Sequence, residues 1–417
     1  MISKNIERVL VLALTVCLCF TQTGSWICLI ALLFLALADS ARQERLAAIK
    51  KAPLLWPLLL YALAVVASGI FAPAGSLPEG WAEGWKSFVS LRGLLVAYLV
   101  AYQLFAHDVG ARLTAPALSC LLLCGAASGI FGLIQQVFNF HPFTYPFLQA
   151  TGFLNEPMSF AGLMQLTSFL GLGLLIQGGY KQLPLLANNW YFLLVGANFL
   201  GLIFASERSA WLGMICALLS VCFYISPRRF FEGLLALSLL FALAWFTVPV
   251  VQVRLSPLLN AKSDVGVTAR ISVWSQAWQL FREHPITGVG ALHFPRIDLP
   301  EAIVPGHSKD LNHAHSNYLQ ILSTTGLLGF SSFLLLLGTV LTTAYRQAKG
   351  PNPLYASIGL GLLGAMISLS VAGVFEYNFG SGQVKLIQWF LLALLLRPIP
   401  LVKLADLASP STDSAKQ

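Results

Sequence analysis

Charged side chains are scarce in this chain of 417 residues, where they make up 10% of the total, against about 25% in soluble domains. Hydrophobic residues make up 57%, above the roughly 45–50% of soluble domains. This composition excludes an ordinary soluble domain for most of the chain and predicts an embedding in lipid. Functional residues are therefore sought among the few polar positions.

Cysteine is also used sparingly, and its pattern excludes two kinds of site. The count of seven is odd and no C-x-x-C occurs, so the sequence predicts neither a disulfide framework nor a zinc knuckle. No D-x-D occurs either. All the cysteines fall in apolar runs and are interpreted as packing residues, and no cofactor is expected. They are Cys17, Cys19, Cys28, Cys120, Cys124, Cys216 and Cys222.

Long apolar runs predict an all-α polytopic membrane protein, because a helix of about 17–25 residues crosses a bilayer. About twelve transmembrane helices are expected. They lie near Arg8–Thr21, Trp26–Asp39, Leu54–Phe71, Phe88–Phe105, Ala115–Phe138, Pro157–Gln177, Trp190–Ala205, Ser209–Ile225, Phe230–Val248, Ser316–Ala344, Leu354–Phe375 and Val384–Leu396. The first two runs are the weakest candidates because each is short, and merging them into one span would change the parity of the topology.

The distribution of Lys and Arg predicts that both termini are cytoplasmic, because short basic loops stay inside. Lys4 and Arg8 precede the first two runs and Arg42 and Lys50 follow them, so an even number of crossings is favoured. No A-x-A-like site follows Phe20, and the first helix is therefore expected to be retained. The net charge of +8 is spread over loops, which indicates contact with membrane lipids and no nucleic-acid partner.

One connection is far longer than the others and divides the chain. Residues 1–248 hold nine predicted helices, 249–315 form an external loop, 316–397 hold three further helices, and 398–417 form a cytoplasmic tail. The loop contains five of the seven histidines. From Thr268 to Glu283, apolar residues such as Trp274 and Trp278 recur at helical spacing, which predicts an amphipathic helix in the membrane interface.

Several cations lie at predicted helix ends on the external side. Arg208 stands between two apolar runs, and Lys86 and Arg92 lie at the start of the fourth run. A charge at such a position is costly and marks a candidate functional site, although snorkelling to headgroups is the alternative. Arg270 and Arg282 flank the amphipathic segment, where they are either anion contacts or solvated residues of a lid.

The polar stretch before the tenth run contains His313 and His315 in an H-x-H pattern. A histidine is suited to general-base catalysis because its pKa lies near ambient pH. Metal binding by the pair is the alternative, but scattered acids and the absence of D-x-D disfavour it. Glu376, at the external end of the eleventh run, is a candidate to orient His315 or to contact a sugar.

These residues resemble the lipid-linked polysaccharide ligases and polymerases, and most closely the O-antigen ligases of Gram-negative envelopes. The ligase signature, His then Asn, Ser or Gln, nine residues and G-x-x-G, is met by His315, Ser316, Gly326 and Gly329, with Phe330 replacing the usual Gly, Thr or Tyr. Two further patterns carry the resemblance. They are the R-x-x-x-L of Arg208 and Leu212 and the loop segment from Arg270 to Gly290. A weaker likeness, one residue out of register, covers Gly152 to Ala161 and includes Asn155.

The resemblance implies a metal-independent glycosyltransferase at the periplasmic face of the inner membrane. Its donor would be O-antigen on undecaprenyl pyrophosphate, and its acceptor a sugar hydroxyl of lipid A-core. His315 would be the base, and Arg208 and Arg270 would hold pyrophosphate. Lys86, Arg92, His313, Asn155 and Glu376 would contact substrate. A single base and a cation clamp predict inversion of configuration.

Two other functions remain open. An O-antigen polymerase uses the same donor, but this chain has one long outer loop and no R-x10-G in it. A polysaccharide transporter would carry charges or broken helices near the bilayer midplane. The predicted span centres are almost free of ionisable residues, which favours an interfacial enzyme.

Overall fold

The computed structural model describes residues 2–38, 42–72, 80–106, 108, 111–140, 149–184, 186–247, 249–256, 265–294, 297–298, 310–311 and 313–395. Within them the chain is helical apart from two short strands that pair antiparallel, β1 (Ile297–Asp298) and β2 (Asp310–Leu311). The first eight helices are α1 (Ile2–Phe20), α2 (Gln22–Ala38), α3 (Arg42–Lys50), α4 (Leu55–Ile70), α5 (Gly80–Ala106), α6 (Thr114–Phe138), α7 (Pro157–Ile176) and α8 (Tyr191–Phe204). They are followed by α9 (Arg208–Ile225), α10 (Pro227–Thr247), α11 (Pro249–Leu255), α12 (Val265–Glu283), α13 (Asn317–Ala348), α14 (Pro353–Ala372) and α15 (Gly382–Leu395).

Each of the twelve predicted spans coincides with one helix, which confirms the all-α polytopic class. Six helices, α6, α7, α9, α10, α13 and α14, are long and apolar enough to cross a membrane. The remaining predicted spans lie on α1 and on shorter apolar helices, so the number twelve stays a prediction. The first pair is two helices, because α1 ends at Phe20 and α2 begins at Gln22 and packs against it.

The sequence did not predict α3 or α11, which lie in connections between spans. The predicted interfacial segment is α12, whose helical state is confirmed. The tail from 398 to 417, and residues 257–264 and 299–309 of the long loop, lie outside the described residues. The seven cysteines all lie on helices and none forms a disulfide.

The centre of the bundle is formed by α7 and α14, which are buried along most of their length. They approach closely because small residues face each other. A Cβ on Gly173 would lie 2.4 Å from the backbone nitrogen of Gly361, as is common between membrane helices. In contrast, α10 has no buried residue, and its Phe246 is 80% exposed. An apolar helix left uncovered by protein is a helix that faces lipid.

Four helix ends meet at one end of the bundle, which we call the site end. The N-terminal part of α9 lies against the C-terminal part of α14, because a Cβ on Gly213 would lie 2.3 Å from the carbonyl oxygen of Ser368. The N-termini of α7 and α15 also meet there, where the hydroxyls of Ser159 and Ser381 are 2.8 Å apart. The segment that connects α14 to α15 therefore lies at the site end, and the start of α13 lies beside it.

Candidate active site

His315 is held in an unusual backbone conformation directly before α13. Its φ of +44° lies in the left-handed region that non-glycine residues seldom adopt. Its N–H donates to Nδ1 of His313 at 3.2 Å, and the N–H of Ala314 donates to Oε1 of Gln320 at 2.7 Å. Ser316 then caps α13 by accepting from the N–H of Leu319. Such strain persists only where neighbouring contacts fix it, and it often marks a functional site.

Glu376 joins the histidine to Arg270. Its Oε2 is 3.5 Å from Nδ1 of His315, and its Oε1 accepts a hydrogen bond from Nη2 of Arg270. Arg270 also donates from Nε to the carbonyl oxygen of Phe375 at 3.2 Å. The carboxyl group is buried, which by itself raises its pKa, but the hydrogen bond from His315 and the charge of Arg270 outweigh burial and lower the pKa of Glu376. The group is therefore a carboxylate that bridges the side chains of His315 and Arg270.

His313 is a neutral neighbour of this bridge. Its ring centroid is 4.0 Å from that of His315 and 5.6 Å from that of Tyr377. Burial, and next the charge of His315, lower the pKa of His313 to about 4, against an opposing effect of Glu376. Because Nδ1 accepts the N–H of His315, the neutral ring carries its proton on Nε2. His313 thus shapes the backbone of the adjacent histidine.

A buried amide network fixes the distance between the entry into α13 and the exit from α14. The N–H of Asn317 donates to the carbonyl oxygen of Gly373 at 2.7 Å, and its side chain donates to Oδ1 of Asn378 at 2.6 Å. The N–H of Phe379 donates back to Oδ1 of Asn317 at 3.1 Å. His315 precedes Asn317 by two residues and Glu376 lies between Gly373 and Asn378, so these contacts hold the two backbone segments that carry them close together.

The two glycines of the ligase signature shape α13. Gly326 interrupts the helix with φ +62° and ψ −164°, a conformation open essentially only to glycine. A Cβ there would lie 2.2 Å from the carbonyl oxygen of Ile286. At Gly329 a Cβ would lie 2.0 Å from Oγ1 of Thr325. Glycine is thus required by close approach at both positions.

The segment after α12 supplies the hydrogen bonds that this kink leaves open. The N–H groups of Leu327 and Leu328 donate to the carbonyl oxygens of Pro285 and Ile286, at 2.8 and 3.2 Å. In return, the N–H groups of Val289 and Gly290 donate to carbonyl oxygens of α13 at 3.1 and 2.9 Å. Because backbone groups inside a membrane protein need partners, the kink becomes a docking site. It fixes α12, and Arg270 with it, against the helix that begins beside His315.

The face of α12 toward the protein is small and apolar. Val273 and Ala277 are buried against Phe294 and Ala314. On the other side, Ile271 and Trp278 are 58% and 50% exposed, and Arg282 is exposed. Both sides of α12 thus carry apolar residues, and Trp278, whose spacing helped to predict the helix, faces away from the protein. The position of α12 in the membrane interface stays a prediction.

Of the other predicted site residues, Arg208 and Asn155 lie at helix starts of the site end. Arg208 is the first residue of α9 and is half-buried, and Asn155 is exposed just before α7. Lys86 is exposed in the N-terminal part of α5, and Arg92 lies on the same helix with its side chain outside the described part of the structure. The structure thus brings Arg270, His313, His315 and Glu376 into contact. The convergence of Arg208, Asn155, Lys86 and Arg92 on them stays a prediction.

Sequence reasoning missed several polar residues that organise the site. Gln320, Asn317 and Asn378 hold its backbone, and Lys385 lies in the first turn of α15. Each is a polar residue in or beside an apolar run, which is the signal that points to a functional or structural role in membranes. A systematic search for such residues would have found them.

No group of three His, Cys, Asp or Glu side chains is arranged to hold a metal ion among the residues whose placement is described. His313 and His315 do not offer a free chelating pair, because Nδ1 of His313 already accepts a hydrogen bond and Nδ1 of His315 lies beside Glu376. Independence from metal stays a prediction.

Comparison with known families agrees with the motifs. Residues 192–334 match the family model described as O-antigen ligase, which is about a third of the chain. The matched segment includes Arg208, Arg270 and His315 and ends before Glu376. The resemblance is confirmed over this segment, and it supports assignment to the O-antigen ligase family, with the lipid-linked glycan transfer that this implies. A search of curated proteins found no match.

Proposed function

We propose that this chain, with its O-antigen ligase match, is an O-antigen ligase acting at the periplasmic face of the bacterial inner membrane. It would transfer the polysaccharide from undecaprenyl pyrophosphate to a sugar hydroxyl of lipid A-core. The observation that carries the proposal is the carboxylate of Glu376, shared between the imidazole of His315 and the guanidinium of Arg270. It couples a base to a phosphate-binding cation.

The base is Nε2 of His315. Glu376 lies beside Nδ1 and favours the tautomer with the proton on that nitrogen, which leaves the Nε2 lone pair available, as the carboxylate does for histidine in hydrolytic triads. The acceptor hydroxyl gives its proton to Nε2 as its oxygen forms a bond to the anomeric carbon of the donor sugar. The bond from that carbon to the pyrophosphate oxygen breaks, and its electron pair leaves with the pyrophosphate.

Arg270 stabilises the charge that grows on the leaving pyrophosphate. A guanidinium has five N–H donors, and two of them are used by the carbonyl oxygen of Phe375 and by Glu376. The remaining donors can bind phosphate oxygens in a fixed fork. Arg208 at the start of α9 is proposed as a second contact. Fixed cations of this kind take the place of a metal ion.

The expected stereochemical outcome is inversion. One oxygen of the Glu376 carboxylate contacts Arg270 and the other contacts His315. The carboxylate therefore positions these two side chains and is poorly placed to act as a nucleophile. Retention would require a covalent intermediate on a carboxylate. A product of inverted configuration is therefore expected.

The proposal is tested by deleting the gene and complementing it with variants, followed by gel analysis of lipopolysaccharide. His315→Ala and Arg270→Ala should leave bare lipid A-core and long glycan on the carrier lipid. His284→Ala and Arg282→Ala are matched controls at the far end of α12, and both should restore the wild-type ladder. Restoration by His315→Ala would overturn the proposed base.

The same experiment separates the alternative functions. Cores that bear a single repeat in the deletion strain would identify a polymerase, which hands the glycan to another lipid-linked repeat. A transporter would move its cargo without His315. Glycan would then reach the periplasm in the strain that carries His315→Ala and would fail to reach it in the deletion strain.

A further inference from the structure

A cavity of about 180 Å³ lies directly beneath the candidate active site. Gln320 and Tyr377 belong to both, since Gln320 accepts the N–H of Ala314 and Tyr377 follows Glu376 and packs on His313. The cavity exceeds the roughly 150 Å³ that accommodates benzene in an engineered protein. It therefore has room for a headgroup-sized ligand.

The wall of the cavity changes character with depth. At the site end it is lined by Gln320, Thr324, Tyr377 and Lys385, and one turn further along α15 by Gln388. Further along α13 and α15 the lining becomes apolar, with Leu336, Val340 and Leu392. Among the described residues that line the cavity, none is a carboxylate. The cavity thus offers a positive, polar upper part and a hydrocarbon-like lower part.

Two polar groups in the wall are without partners among the residues that the structure describes. Lys385 forms no hydrogen bond or ion pair with any described side chain, although an ammonium at this depth is costly unless it is paired. Gln388 is 4% exposed, and its Oε1 has no hydrogen-bond partner among the described residues. Its Nε2 makes only a weak contact with Sδ of Met366 at 3.6 Å. Because the two ends of an amide can exchange places, Gln388 can present either a donor or an acceptor to a ligand.

We propose that this cavity binds a lipid phosphate, with the phosphate at Lys385 and Gln388 and the first part of its hydrocarbon chain along Leu336, Val340 and Leu392. An anion supplies the missing partner of the ammonium, and a chain covers the apolar wall. The cavity is partly open, so a longer chain can continue outward. A sugar or a free nucleotide would leave the lower wall uncovered, and a neutral lipid would leave Lys385 unpaired.

The lipid phosphate can come from the isoprenoid carrier or from a glycerophospholipid. We favour the isoprenoid carrier, because the cavity lies beside the bridge of Arg270 and Glu376, where the carrier-linked donor is proposed to react. In that respect the inference rests on the proposed function. Binding itself does not require the transfer reaction, and the two proposals can fail separately.

The test is lipid binding to the full-length protein in detergent, measured by native mass spectrometry. The probes are undecaprenyl phosphate, the uncharged undecaprenol and phosphatidylglycerol. Undecaprenyl phosphate should bind the wild type at least tenfold more tightly than undecaprenol. Lys385→Met should weaken phosphate binding at least tenfold, whereas Lys385→Arg should stay within about threefold of the wild type. Lys349→Met, at the opposite end of α13, is the matched control and should bind as the wild type does.

Each outcome decides the proposal. Equal binding of undecaprenol and its phosphate, or unchanged binding by Lys385→Met, would overturn it. Should Lys385→Met not elute as a folded protein, Gln388→Leu replaces it, with an expected loss of at least threefold. If phosphatidylglycerol bound more tightly than undecaprenyl phosphate, the cavity would still be a lipid-phosphate site, but its ligand would be a glycerophospholipid of the membrane. His315→Ala should lose glycan transfer and keep this binding, which separates the two proposals.

Discussion

At the scale of single residues, the unusual feature of the site is that one buried carboxylate serves two partners. Glu376→Gln keeps the shape of the side chain and removes its charge. The amide then has one oxygen to offer, so either the His315 tautomer or the Arg270 contact is lost. By analogy with the carboxylate of hydrolytic triads, we expect the turnover number for glycan transfer to fall roughly 10²- to 10⁴-fold.

Glu283→Gln is the control for this change, because Glu283 is an exposed carboxylate at the end of α12. It should turn over as the wild type does in transfer assays with purified protein. A Glu376→Gln variant with wild-type turnover would show that the bridge has no part in the reaction.

His313 makes the stability of the protein depend on pH. The pKa of this side chain is lowered to about 4 by burial and by His315, whereas a histidine in an unfolded chain titrates near 6.5. As the pH falls from about 6.5 towards 4, the unfolded chain takes up a proton that the folded state excludes, and stability is lost over this window. Above pH 6.5 both states are neutral and the contribution is constant.

His313→Asn should reduce this loss, since asparagine does not titrate and its carbonyl oxygen can still accept the N–H of His315. The measurement is thermal unfolding in detergent at pH 7.5 and pH 4.5. The fall in Tm between the two should be smaller in His313→Asn than in the wild type by a few degrees, while His284→Asn should keep the wild-type fall. Equal falls in all three proteins would contradict the assignment of a buried neutral imidazole.

At the scale of elements, the kink in α13 is what ties the outer helix α12 to the bundle. Gly326→Ala puts a Cβ 2.2 Å from the carbonyl oxygen of Ile286 and imposes a backbone conformation that costs about 1–3 kcal/mol for other residues. We expect a lower Tm and a loss of glycan transfer, because the docking segment after α12 must move and Arg270 moves with it.

Gly338→Ala in the same helix is the matched control. Apart from the backbone of its own helix, no described atom lies within 4 Å of a Cβ placed at Gly338, and alanine favours a helix by about 1 kcal/mol over glycine. This variant should be unchanged or slightly more stable, and fully active. Comparable damage by both substitutions would mean that the helix simply tolerates no side chain, and the docking role of Gly326 would be wrong.

The sequence predicted the helices better than the contacts between them. Long apolar runs placed every predicted span and helical periodicity placed α12, because burial and lipid exposure act on each helix separately. The pairing of Arg270 with Glu376 spans 106 positions and depends on how α12 docks, for which no local pattern exists. Gly326 was recognised as part of a motif, but its role needs the backbone of Ile286. Lys385 is a polar residue in an apolar run, which marks it as a candidate in the sequence, but only the structure shows the cavity that it lines.

At the scale of the whole molecule, the direction in which α13 crosses the membrane decides where the chemistry takes place. Its N-terminus adjoins His315, and Lys349 caps its C-terminus. The positive-inside rule predicts that Lys349 is cytoplasmic, and His315, with α12 packed above it, is then periplasmic. The proposed acceptor and donor sugars can react at His315 only if they share that compartment with it.

Single cysteines introduced into a cysteine-free variant test this orientation. Trp278→Cys, at an exposed position of α12, should react with a membrane-impermeant maleimide in spheroplasts, and Lys349→Cys should react only after the membrane is permeabilised. Labelling of both positions before permeabilisation would mean that α13 does not cross. The reverse pattern would place the bridge of Glu376 in the cytoplasm, where the proposed acceptor is not presented, and the ligase proposal would fail even if every contact described above were retained.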